Sequence, residues 1–321
     1  MHARCGVLRL HFNGPFALLP FFLAMTVIEL IEASAAQLDQ AGVAFGHGTA
    51  NAFDEAAWLV LWRLGLPLDS IDAHADDAVD PASQAAAEGL IAERIASRKP
   101  AAYLTREAWL QGVAFYVDER AIVPRSFIAE LVTEGSIDYW LGEHTRRVLD
   151  LCTGNGSLAV LAALCWPEVS MVAADISAEA LQVARINVDR HGLSERIELL
   201  ASDGLQAVPG RYDLILCNPP YVNESSMTAL PAEYRAEPAL ALAGGADGMD
   251  FIRALLADAP GHLNEHGVLV LEIGNERAHF EAAFPRLPAV WLETSAGEDQ
   301  VLLLTRAALF TEFMEPGAKP E

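Results

Sequence analysis

From Met25 onward the apolar positions recur at helical spacing. Ile28, Ile31 and Leu38 fall on one face of a first helix. A second is read over 54–64, opened by Asp54 and Glu55, which suit a helix N-terminus, and closed near Gly65 or Pro67. A third, alanine-rich helix sets Leu90, Ile91 and Ile95 on one face and stops at Arg98, Lys99 and Pro100. The period then shortens to two. Residues 109–117 and 121–123 read as short strands turning around Asp118-Glu119-Arg120, a hairpin, and Pro124-Arg125-Ser126-Phe127 reads as a turn feeding a helix. Beyond Arg146, short apolar runs at 148–152, 171–176, 197–201, 214–217, 268–273 and 301–304 alternate with helical stretches. That alternation predicts an α/β fold, a mostly parallel sheet with helices on both faces. The chain divides accordingly into a helical domain at 25–105, a hairpin linker at 106–130, an α/β domain at 131–310 and a tail at 311–321.

Composition narrows the picture. The 321 residues are 52% hydrophobic, enough for a substantial core. Against 44 acidic residues stand 21 basic ones, a formal charge of -23. Such a surface repels nucleic-acid phosphate and attracts a basic protein, and it serves solubility equally well. Cys5, Cys152, Cys165 and Cys217 lack chelating or framework spacing, so no metal site is expected and a reducing cytoplasm fits. Cys152 and Cys217 are expected inside buried strands, as small hydrophobes. In residues 1–24, His2, Arg4 and Arg9 precede an apolar run over 16–24, signal-peptide-like in outline. Pro20 interrupts that run and no small-residue cleavage site follows, so 1–24 is read as a non-native extension before a start at Met25. No apolar run approaches the ~18 residues of a membrane span.

Two loops carry the candidate chemistry. The first strand of the α/β region ends in Asp150-Leu151-Cys152-Thr153-Gly154-Asn155-Gly156, where glycine permits a sharp turn and close approach of a ligand to backbone. Asp175, roughly 20 residues on, closes the second strand as needed to hold ribose hydroxyls. Gly154, Gly156 and Ala159 also satisfy the dinucleotide fingerprint, so the loop alone is a weak signal. The fourth core strand ends in Asn218-Pro219-Pro220-Tyr221. Proline removes an N–H, leaving carbonyls free of the ladder. Asn218 Oδ1 and the Pro219 carbonyl then form an acceptor pair for both hydrogens of a planar NH2 group, with Tyr221 stacked on its plane or, alternatively, packed in the core.

Together these stretches resemble the class I S-adenosylmethionine-dependent methyltransferases that modify NH2 groups, and more narrowly the protein-(glutamine-N5) methyltransferases. Residues 100–105, Trp109, Phe115-Tyr116-Val117 and the helical domain fit that family, so the resemblance spans nearly everything after Met25. Release-factor enzymes of the family carry Pro-Arg-Pro after the hairpin. Here Pro124-Arg125-Ser126-Phe127, residues 230–242 and Gly248-Met249-Asp250 resemble instead the branch acting on a glutamine of large-subunit ribosomal protein L-three. Phe127 stands where a second proline is expected.

The resemblance implies S-adenosylmethionine held by Asp150, Cys152, Thr153, Gly154, Asn155, Gly156, Asp175, Ile176, Asp203, Gly204 and Asn218. It implies substrate contacts from Asn218, Pro219, Pro220, Tyr221 and Arg125, with Asn218, Pro219 and Tyr221 catalytic. Arg125 can orient substrate or pair with an acidic neighbour, Asp203 can serve a turn instead, and Glu272 is equally open. The rivals are release-factor methylation, adenine-N6 methylation of DNA, and a non-catalytic module holding its cofactor on a ribosome-assembly intermediate. Acidity argues against DNA.

Overall fold

The computed structural model describes residues 25–143 and 145–313. The readings of 1–24 and of 314–321 therefore lie outside the described residues.

Three long helices, with two short ones at Ile71–His74 and Ala101–Thr105, build the described N-terminal region, the long ones with ends written locally. Val27–Gln40 opens on a capping box in which Thr26 and Glu29 exchange side-chain-to-backbone hydrogen bonds. Ala52–Leu64 starts at Asn51, whose side chain accepts from Asp54 N, and stops at Gly65 in the left-handed region, φ 70°. Pro81–Ser97 begins under an Asp80 cap with proline at its first turn and ends at Arg98. Leu30, Ile31, Leu38, Leu59, Leu61 and Ile91 close them into one apolar core. Ile28 and Ile95 sit at its margin rather than inside. Arg94 belongs to the buried face of its helix, fully enclosed.

The hairpin is displaced from its expected place. Strand β1, Ala108–Leu110, pairs antiparallel with β2, Val113–Phe115. The two are joined by Gln111 and Gly112 at φ 50° and 73°, the paired left-handed conformations of a tight two-residue hairpin turn. Residues 118–120 form a loop, not the hairpin turn, and 121–123 pair with no strand. Asp118 organises that loop by accepting from the N–H and guanidinium of Arg120, which hold its carboxyl down at about 2.

The α/β region holds seven strands: β3 (Arg147–Leu151), β4 (Ser170–Asp175), β5 (Ile197–Ala201), β6 (Tyr212–Cys217), β7 (Leu263–Glu272), β8 (Val290–Thr294) and β9 (Gly297–Thr305). Their order is β5-β4-β3-β6-β7-β9-β8. The strands from β5 to β7 pair in parallel, and β9 runs antiparallel to both its neighbours. Helices cover both faces, with Val148, Leu161, Leu216 and Val270 in one apolar layer and Leu149, Ile215, Ile252 and Leu269 in the other. β8 carries only Leu292 as a buried residue, so its sequence lacks the apolar run that announces the central strands. The helix Arg306–Phe313 buries Leu309 and runs past residue 310, so the expected tail does not start at 311.

The order reverses at β3, which has β4 on one side and β6 on the other. Ligands of open parallel sheets bind at the carboxyl edge of such a switch point. Leu151 is the register partner of Cys217, so the loops that leave β3 and β6 emerge side by side. Cys152 lies beyond β3 with φ 61°, outside the strand expected to include it, and Cys217 is buried in β6.

Candidate active site

The glycine loop after β3 is fixed from below and from the side. Thr153 Oγ1 donates to Asp150 Oδ2 at 2.5 Å, and the Ala159 N–H donates to the same oxygen at 3.0 Å. Asp150 thus sits behind the loop; burial pushes its carboxyl up to about 7 despite those two donors. Gly156 also faces away from the cavity, against the helix Ala178–Arg190. A Cβ on it would lie 3.1 Å from the Ala184 Cβ, so the close approach of that helix favours glycine there together with its φ of 81°. Gly154, at φ 56°, has open space where a Cβ would stand and faces the cavity. Its N–H donates to Asp175 Oδ2 at 2.9 Å, while Ser177 N donates to Asp175 Oδ1 at 2.8 Å.

These contacts shape a cavity bounded by Cys152, Thr153, Gly154, Asn155, Asp175 and Ile176. Asp203 and Gly204 lie on the same cavity, their turn fixed by Ser202, whose hydroxyl donates to the Gly204 carbonyl at 2.7 Å. The donor set suits a ligand with a polar end and a hydroxylated ring. Asn155 is buried, yet its Nδ2 has no hydrogen-bond partner, a cost unless a ligand accepts from it. Ile176 is 53% exposed, an apolar side chain available to a flat ring.

Asn218 and Pro220 form the next stretch of wall; Pro219 and Tyr221 do not line the cavity. The Asn218 amide makes no hydrogen bond to another described residue, and none of the loop's backbone N–H groups donates to the Pro219 carbonyl. Both acceptors are therefore uncommitted at the end of β6. Tyr221 sits behind them. Its ring packs against the core of β6 and β7, its hydroxyl lies 3.4 Å from Glu272 Oε1, and a Cβ on Gly274 would come within 2.5 Å of its ring carbon Cε2. The ring is held from the core side, not poised over the mouth of the cavity.

Glu272 ends β7 and ties this loop to the segment ahead of the α/β domain. Its Oε2 accepts from Ser126 Oγ at 2.5 Å and from Phe127 N at 2.9 Å. Proline at 127 would have no N–H to give to Glu272 and would leave it the Ser126 hydroxyl. Arg125 lines the cavity, but its fork is engaged: Nη1 and Nη2 donate to Glu237 at 2.6 and 2.7 Å. Burial works to raise the Glu237 carboxyl; His47 and Arg125 outweigh it and hold it at about 2.

Burial pushes the Glu272 carboxyl from 4.5 up to about 7, against the donors Ser126, Ile128, Phe127 and Tyr221. The native state then keeps a proton that the unfolded chain releases. Stability falls as pH rises between about 4.5 and about 7, with Asp150 contributing in the same direction. Glu272→Gln is expected to shallow that slope, measured as urea midpoints at pH 5 and pH 8. An unchanged pH dependence would show that Glu272 ionises freely in the native state.

Sequence reasoning missed several wall residues. Phe251 stands beside Gly204, with Cε2 3.8 Å from a Cβ placed there, and Leu240 comes from 230–242, read only as a family feature. Asn187, fully buried, donates to the carbonyls of Asn155 (2.8 Å) and Tyr116 (2.9 Å) and accepts from Tyr116 N (2.7 Å), joining the glycine loop to the segment after β2. An asparagine in the middle of an amphipathic helix was its only signal. Among the described residues no cluster of metal-ligating side chains occurs, and no helix is long and apolar enough to cross a membrane.

Comparison with known proteins places this geometry. Residues 136–234 match the family described as methyltransferase small domain. Over 289 residues the chain is 54% identical to a ribosomal protein uL3 glutamine methyltransferase of Bordetella pertussis, covering 89% of this chain and 97% of that one. Proteins of the same description from Burkholderia pseudomallei and Neisseria gonorrhoeae are 52% and 46% identical, over 88% and 89% of this chain and 95% and 96% of theirs.

Proposed function

The chain belongs to the ribosomal protein uL3 glutamine methyltransferase family, and on that premise we propose that its cavity pairs S-adenosylmethionine with a glutamine side chain of uL3. When bound, S-adenosylmethionine supplies a methyl group on a positively charged sulfur. The observation that carries the site assignment is the uncommitted acceptor pair, Asn218 Oδ1 and the Pro219 carbonyl, beside the cavity wall of Thr153, Gly154 and Asn155. Glycine-loop backbone and Asn155 Nδ2 hold the polar end of the cofactor, Asp175 its ribose, and Ile176 with Asp203 and Gly204 its adenine. Asp150 and Gly156 act one step back, as the loop's anchor and its contact with the neighbouring helix.

An amide nitrogen is a poor nucleophile because its lone pair is delocalised into the carbonyl. Accepting both N–H bonds at Asn218 and Pro219 fixes the nitrogen in place and turns its lone pair toward the methyl carbon. With S-adenosylmethionine bound, transfer would exchange the methyl group's bond to sulfur for one to this nitrogen, and one amide proton would leave to water. Orientation carries the rate, since well-aligned partners gain up to ~7–11 kcal/mol. Tyr221 supports the acceptor loop from the core side. The charge of -23 favours encounter with a basic ribosomal protein and disfavours DNA. Such a substrate places the enzyme in the cytoplasm.

The test is incubation with methyl-labelled S-adenosylmethionine and, separately, uL3 from a strain lacking the enzyme, unmethylated release factor, and DNA. Label on one glutamine of uL3 is expected. Label confined to release factor or DNA would refute the reading.

A further inference from the structure

One wall of the cavity is carried by residues outside the sheet. Pro238, Leu240 and Ala241 line it, and Leu240 is 58% exposed. The short helix Ala232–Arg235 and the turn Ala239–Ala241 that bear this wall bury no apolar side chain of their own; what they and their connection drive inward are two carboxylates, Glu233 and Glu237. Both are met by groups from elsewhere. Glu237 takes the fork of Arg125 and the Val123 N–H (2.9 Å), and its Oε2 lies 3.3 Å from His47 Nε2. Glu233 is met by Arg98 Nε at 2.7 Å and Arg94 Nη1 at 3.4 Å. His47, Arg94 and Arg98 all belong to the N-terminal helical region. The His47 ring packs on Tyr234 at 4.3 Å between centroids.

We infer that the chain His47–Glu237–Arg125 is a latch through which the helical region positions the wall 231–243, and with it Leu240, so that admission of the protein substrate depends on it while cofactor binding does not. The inference deepens the proposed function and rests on it for the identity of that substrate. Two connections support the division. The wall is bonded to the acceptor loop, Val222 N donating to the Leu242 carbonyl at 2.8 Å and Gly244 N to the Val222 carbonyl at 2.9 Å, so displacement of the wall reaches the residue after Tyr221. The glycine loop and Asp175 are fixed instead by Asp150, Asn187 and each other, and share none of these bonds. A buried carboxylate that loses a charged partner seeks water, and Glu237 reaches it if the wall moves outward.

The full-length protein carrying Glu237→Gln or His47→Gln tests this. Four quantities are read: kcat and KM for unmethylated uL3, the S-adenosylmethionine Kd by titration, and amide exchange of peptides within 231–243. With Glu237→Gln, KM for uL3 is expected to rise about tenfold or more, while kcat and the cofactor Kd move less than about twofold. Exchange in 231–243 is expected to quicken about tenfold in both variants, and His47→Gln, at a residue that does not line the cavity, follows in KM with a smaller rise. Unchanged exchange in 231–243 overturns the latch, whatever the substrate. So does a parallel worsening of KM, kcat and cofactor Kd with a lowered Tm, which marks a role in folding alone. Quickened exchange in variants of a wild type that leaves uL3 unmethylated keeps the latch and removes uL3 as its beneficiary.

Discussion

Asn218→Ala is expected to lower kcat for uL3 methylation by roughly 10²–10³-fold while the S-adenosylmethionine Kd changes by no more than a few-fold. The side chain follows β6 with no bond to another described residue, so among the described residues its removal strands no donor or acceptor and the loop keeps its prolines, its Tyr221 anchor and its bonds to residues 242–244. What disappears is one of the two acceptors proposed to hold the glutamine NH2 group. The remaining Pro219 carbonyl fixes one hydrogen, and the nitrogen turns about that single bond. Asn218→Asp keeps an oxygen near the same place and is expected to retain more activity than alanine. Single-turnover methyl transfer and equilibrium titration of the cofactor separate the two effects. Equal losses in transfer and in cofactor affinity would mean that Asn218 serves the cofactor and not the acceptor.

The parts of this arrangement that could be read in the chain are those in which local sequence and fold agree. The glycines after β3, Asp175 at the end of β4 and the prolines after β6 each obey a constraint met within a few residues, and the strands they follow, β3, β4 and β6, are apolar and mostly buried. The parts that could not be read depend on partners distant in sequence. Glu237 looks like any surface acid until Arg125 and His47 are brought to it, from 112 residues away in the first case. Asn187 looks like a solvated helix position until Tyr116 and Asn155 arrive on either side. The hairpin was misplaced for a subtler reason. Asp118-Glu119-Arg120 has the composition of a turn and is one, but Gln111-Gly112 closes the strands because both residues there accept left-handed backbone. Tyr221 shows a limit of another kind: the motif identifies the ring, while three dimensions assign it to the core side of the loop.

Arg94→Leu is expected to cost about 3–5 kcal/mol of stability, the largest single loss among the buried ion pairs of the helical region. Arg94 is fully enclosed, and its guanidinium serves three partners at once: Glu55 Oε1 at 2.8 Å, Glu233 Oε1 at 3.4 Å and the Ala44 carbonyl at 3.0 Å. Burial already raises the Glu55 carboxyl, with Arg94 as the main opposing influence, so without the arginine Glu55 must take up a proton or draw in water. Leucine fills much of the volume but meets none of those three acceptors. Thermal unfolding followed by tryptophan fluorescence, to which Trp58 and Trp62 in the same helix as Glu55 contribute, is expected to shift on the order of 10 °C. Replacing Glu55 by leucine at the same time removes the orphaned carboxylate and is expected to recover part of the loss, because an apolar pair in place of an ion pair costs less than a lone charge. Glu233 keeps Arg98 in either variant. If Arg94→Leu alone left the transition within about 1 kcal/mol of wild type, water would already reach the Glu55 carboxylate, and the helical region would owe its cohesion to Leu30, Leu59 and Ile91 rather than to this arginine.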